Sequence, residues 1–141
     1  MKQEPFVIER TFNALVSKVW KAITDKDDMK QWYFDLSAFK PEVGFEFEFI
    51  AGDDKMKYHH LCKITEVVLG KKLTYSWKYK GYDGMSYVTF ELFEEGDKTR
   101  LKLTHEGLET FPQTGSFARE SFSKGWTHII GKRLPEFVET K

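Results

Sequence analysis

The chain has 141 residues with 22 basic and 22 acidic side chains, so its formal charge is zero, and 16% of it is aromatic. A balanced charge excludes the cationic footprint of a nucleic-acid or anionic-membrane binder. No apolar run reaches the length of a membrane span, and the start MKQEPFVIER lacks the apolar stretch of a secretory signal.

Cys62 is the single cysteine, which rules out an intramolecular disulfide and fits a reducing, cytoplasmic setting. Thirteen Phe, six Tyr and four Trp either fill a small core or line a cavity, and composition alone does not separate the two. In chain order, PFVIERTF reads as a strand with Phe6, Ile8, Arg10 and Phe12 on one parity. SKVWKAIT then reads as a short helix, with Ser17 placed to accept from its first-turn amides. A second short helix follows in DKDDMKQWY, capped by Asp25, with Asp28 at its positive end and Met29, Trp32 and Tyr33 on one face.

From Val43 the period changes to two. In GFEFEFI, Phe45, Phe47 and Phe49 face one way and Glu46 and Glu48 the other, the mark of an antiparallel strand with one wet face. YHHLCKITEVV places Tyr58, His60, Cys62 and Ile64 together. LTYSWKY places Leu73, Tyr75, Trp77 and Tyr79 together, and MSYVTFELFE and TRLKLTHEGL complete a run of hairpin-linked strands. Such a sheet needs a cover for its apolar face, and only the C-terminal segment is long enough to supply one. There Phe122, Trp126, Ile129, Ile130, Leu134 and Phe137 form an apolar stripe, from which Lys124, His128 and Lys132 fall away. The spacing predicts a helix over 116–139. Gly125 is expected to let the helix approach the sheet, and Pro135, which lacks an amide proton, to kink it near Gly131.

The segments FNALVSKVWKAITDKDDMKQWY, LGKKLTYSWKY, TRLKLTHEGL and GWTHIIGKRLPEF resemble the family of activators of the 90-kDa heat-shock protein ATPase, within the START-like (Bet v-like) superfamily. The likeness runs from about Phe6 to Glu139. It is carried by Val19-Trp20, Trp32-Tyr33, the LTYSW strand and Gly125-Trp126. It implies one α+β domain of helix-grip fold over 1–141, with about six antiparallel strands curved around a long C-terminal helix. It also implies an apolar cavity between sheet and helix that takes lipids, hormones, polyketides or other hydrophobic molecules. The eukaryotic namesake stimulates a chaperone's ATPase and carries an additional N-terminal chaperone-binding domain, which nothing in these residues matches.

The candidate chemistry is sparse. His59 and His60 are strand neighbours and point to opposite faces, so one metal ion does not take both. Cys62 has no base within easy reach on its strand and reads as a small buried hydrophobe. The glycines lack phosphate-loop spacing. The expected function is therefore non-catalytic binding of a small hydrophobic ligand, a lipid or aromatic metabolite, with no cofactor and no metal. The alternatives are a cyclase- or hydrolase-like enzyme using the same cavity, and a chaperone-interaction module. The expected ligand contacts are Phe47, Phe49, His60, Trp77, Tyr79 and Phe90 from the sheet and Trp126, Ile130 and Arg133 from the helix. Arg133, nearly two turns after Trp126, falls on the stripe. It either reaches along the stripe to solvent, pairs with a carboxylate such as Glu106, or meets an anionic ligand group at the cavity mouth.

Overall fold

The period-two segments become six strands: β1 (Phe6–Phe12), β2 (Glu46–Gly52), β3 (Lys57–Val68), β4 (Lys72–Tyr79), β5 (Ser86–Glu95) and β6 (Lys98–Glu106). This computed structural model describes residues 4–34, 36, 38–52, 57–111 and 119–139. All pairings are antiparallel, and the strand order is β1-β6-β5-β4-β3-β2. The five later strands thus form a meander. The first strand returns to lie beside the last, with Phe6 opposite His105 and Phe12 opposite Thr99.

The predicted inner parity holds: Phe47, Phe49, His60, Cys62, Ile64, Leu73, Tyr75, Trp77 and Tyr79 are all buried. A bulge between Ile64 and Glu66 breaks that parity in β3. One extra residue turns the strand over, so Val67 packs on the core while Val68 faces solvent.

Two helices, α1 (Val16–Thr24) and α2 (Lys26–Trp32), follow β1. Asp25 caps α2 as expected, its carboxylate accepting from the Asp28 amide at 3.1 Å, and Met29, Trp32 and Tyr33 are buried together. Ser17 does not cap α1. The helix begins one residue earlier, with Leu15 at the N-cap and no side-chain hydrogen bond there, so Ser17 lies inside the first turn.

The C-terminal cover runs through α3 (Arg119–His128), a π-turn (Ile129–Arg133) and α4 (Leu134–Val138). The expected residues 116–118 lie outside the described residues. The kink expected at Gly131–Pro135 takes the form of this π-turn, in which the Leu134 amide bonds the Ile129 carbonyl five residues back. A proline directly after it cannot donate to any carbonyl, so the wider register ends where the chain has no amide to offer. The buried face is Phe122, Trp126, Ile130, Leu134 and Val138, a strict spacing of four. In an unbroken α-helix that spacing drifts by about 40° per step, and the wider π-turn takes up part of the drift. Ile129 and Phe137, expected on the stripe, are only half-buried. Gly125 is not a packing device: a Cβ added there meets nothing within 4 Å, because the residue faces solvent.

Candidate functional site

The inner face of the curved sheet and the buried face of α3 are both aromatic, and their rings touch. The Phe49 ring stacks on His60 at 4.4 Å between centroids and 14° between planes. Trp77 and Tyr79 meet the same imidazole edge-on at 5.0 and 4.7 Å. From Trp77 the chain of contacts crosses to Trp126 on the helix at 5.6 Å, and from Trp126 to Phe90 at 6.2 Å. Phe90 lies 5.9 Å from Tyr75, whose ring has Phe47 edge-on at 5.0 Å. Ile130, fully buried, continues the helix side of this core. Eight of the nine expected contact residues are therefore buried in one cluster. Arg133, the ninth, sits half-buried in the π-turn without a carboxylate partner among the described residues, so the bridge to Glu106 does not form.

A relay of polar groups is threaded through the rings. The indole N–H of Trp126 donates to His105 Nδ1 at 2.9 Å. Indole nitrogen is only a donor, so Nδ1 carries a lone pair and the neutral ring keeps its proton on Nε2. That proton goes to Ser86 Oγ at 2.7 Å, and the Ser86 hydroxyl donates in turn to the Trp77 carbonyl at 3.1 Å. Every group in the relay is satisfied, and burial pushes the His105 pKa down to about 3. His105 was not among the expected residues. Its signal is the alternation Leu101, Leu103, His105, which puts it on the inner face of β6.

His60 is held differently. Its Nδ1–H donates to the Tyr58 carbonyl at 3.0 Å, and burial, partly opposed by that bond, brings its pKa to about 4. His59, one residue earlier, points to the other face and pairs with Glu48 at 3.1 Å. His128 is exposed, as the spacing predicted. Among the described residues no three His, Cys, Asp or Glu side chains gather as a metal site.

Two further phenols complete the interior. Tyr33, at the end of α2, and Tyr75, in the middle of β4, share a hydroxyl–hydroxyl hydrogen bond of 2.7 Å. Burial holds both well above the usual tyrosine range. Trp77 donates its indole N–H to the Tyr79 hydroxyl at 2.8 Å. Cys62 is buried and its thiol is pushed up by burial, which keeps it protonated and unreactive. The sequence patterning placed Tyr33 and Tyr75 on inward faces without signalling that they meet.

Three solved structures have similar folds. A protein from Rhizobium loti is 22% identical, with 94% of each chain covered and a TM-score of 0.81. One from Chromobacterium violaceum is 20% identical, covering 98% of this chain and 99% of that one, with a TM-score of 0.81. A protein in the dynemicin biosynthetic locus is 22% identical with a TM-score of 0.80; the match covers 98% of this chain and about half, 48%, of that protein's length. A search of curated protein sequences finds no match. At these identities the likeness shows the fold, an α+β helix-grip architecture of START-like type. The family model described as activator of Hsp90 ATPase homolog 1-like protein matches residues 13–139, which take in β2 to β6 and all the helices, and the chain belongs to that family.

Proposed function

We propose that this protein binds a small hydrophobic molecule, without catalysis, between the inner face of the sheet and the C-terminal helix. One observation carries the reading: a continuous cluster of aromatic rings contributed by β2, β3, β4, β5 and α3, in which Trp77 meets Trp126 at 5.6 Å where sheet and helix come together. Apolar, aromatic walls with a few placed polar groups are how small-molecule sites are built. The proposed contacts are Phe47, Phe49, His60, Trp77, Tyr79, Phe90, Trp126 and Ile130. Arg133, half-buried and unpaired among the described residues, is the cation available to an anionic end group.

The surroundings of His60 favour binding over chemistry. Phe34, Phe49, Trp77 and Tyr79 surround it, and its accessible proton is already given to a carbonyl. The buried Cys62 thiol stays protonated and has no hydrogen-bonded base among the described residues. A cytoplasmic setting agrees with this free thiol and with the absence, among the described residues, of a helix long and apolar enough to cross a membrane.

The test is binding of the uncharged apolar dye Nile red, together with native mass spectrometry of freshly purified protein for a carried molecule. Trp77→Ala and Trp126→Ala, with the gentler Phe replacements as folding controls, are expected to weaken dye binding by about tenfold or more. Unchanged affinity in both would place the site elsewhere.

A further inference from the structure

Among the described residues, hydrogen-bond accounting leaves one phenol proton of the Tyr33–Tyr75 pair over. The Trp32 indole donates to the Ala22 carbonyl, the Trp126–His105–Ser86 relay ends on the Trp77 carbonyl, and the Thr99 hydroxyl donates to the Ala14 carbonyl. The Tyr33–Tyr75 pair does not close in this way. Two phenols bring two O–H protons, and the 2.7 Å contact uses one of them. The other has no acceptor among the described residues, although Tyr33 and Tyr75 are 3% and 1% exposed. The Cys62 thiol, also buried, forms no hydrogen bond with either phenol among the described residues. Buried donors in native proteins are almost always paired, so this orphan at the centre of an aromatic cluster calls for a partner from outside the chain.

We propose that the Tyr33–Tyr75 hydroxyl pair is the polar recognition point of the interior, and that it selects ligands carrying a carbonyl-type acceptor oxygen on a flat, ring-bearing frame. This rests on the binding function proposed above and names the ligand class for it. The chemistry is a two-step donor chain. One phenol gives its proton to the ligand oxygen, and its own oxygen accepts from the other phenol, which strengthens the first bond. A neutral acceptor suits this depth, because both phenols remain protonated and the two inward histidines carry no charge to offset an anion. A flat frame suits the neighbours: Trp126 lies nearly parallel to the Tyr33 ring at 6.2 Å and 20°, and Phe47 meets Tyr75 edge-on. The two hydroxyls come from different layers, α2 and β4, so the recognition point exists only where helix layer and sheet meet.

The experiment compares 2-acetylnaphthalene with 2-isopropenylnaphthalene, in which a methylene replaces the ketone oxygen at nearly constant shape. Binding is followed by quenching of tryptophan fluorescence in wild type, Tyr33→Phe, Tyr75→Phe and the double variant. Wild type is expected to prefer the ketone on the order of tenfold, although the ketone is the better hydrated probe and an indifferent apolar pocket would disfavour it. The double variant is expected to lose the preference, keep its affinity for the hydrocarbon, and melt no lower than wild type in the absence of ligand, since it removes an unpaired donor together with its partner. Equal binding of the two probes by wild type, a preference that survives in the double variant, or a ligand-free double variant that melts well below wild type would each overturn the proposal. The first of these leaves the binding function standing, whereas failure of wild type to bind either probe removes that function and this inference with it.

Discussion

His105 can take a second proton only at Nδ1, where the Trp126 N–H already points, so protonation sets two donors against each other. Its pKa of about 3, and that of about 4 at His60, follow from burial, which disfavours the charged ring. Both folded values lie below the ~6.5 of an unfolded histidine, so the unfolded chain takes up protons first. Stability is then fully present above about pH 6.5, is lost as pH falls below it, and levels off only near the folded values. Each histidine contributes a slope of about 1.4 kcal/mol per pH unit in that window, about 3 for the pair. Urea midpoints measured from pH 7 to 4.5 should show this, and His60→Phe should remove about half of the histidine slope; an unchanged slope would mean that His60 is solvated. At this scale the sequence was readable only in part. Strand parity turns Phe47, His60, Trp77 and Tyr79 inward correctly, because each position depends only on its neighbours two residues away. The Tyr33–Tyr75 and His105–Trp126 contacts join segments 42 and 21 residues apart, and no local period encodes them.

The C-terminal cover shows a different limit at the scale of one element. Its helical character and its break near Pro135 are legible, since apolar spacing and a missing amide are local properties. The form of the break is not, because a π-turn depends on how far the sheet must be covered beyond it. The same blindness affected Gly125, where a glycine beside a buried tryptophan suggested close packing and the structure gives open space. Two substitutions separate the helix's intrinsic stability from its packing. Gly125→Ala should raise stability by about 0.5–1 kcal/mol, as a helical glycine with room for a methyl group is replaced by the best helix former. Leu134→Ala should lower it by about 2–5 kcal/mol, because Leu134 is fully buried just after the π-turn. Thermal melts of both variants check the pair, and a destabilised Gly125→Ala would mean that the helix approaches a neighbour there after all.

Across the whole molecule, the order of strands and helices was readable from changes of period, and the resemblance supplied the way they assemble. What patterning alone does not give is the place of β1, because either edge of a meander offers it a free partner. Its position beside β6 matters for how the protein forms. The hairpins from β2 to β6 close over short turns, whereas Phe6 and His105 are roughly a hundred residues apart when they pair. Closing so long a loop costs entropy that is returned only after the local hairpins exist, which places the meander early in folding and the β1 seam late. The two sides of the seam should then respond oppositely in stopped-flow kinetics. Val88→Ala, inside the β4–β5 hairpin, should mainly slow folding, and Ile8→Val should leave folding almost unchanged and speed unfolding. The reverse pattern would make β1 part of the nucleus. With β1 late, the exposed edge of β6 is the surface on which a folding intermediate would meet another chain, and the last strand to arrive also acts as the guard against aggregation.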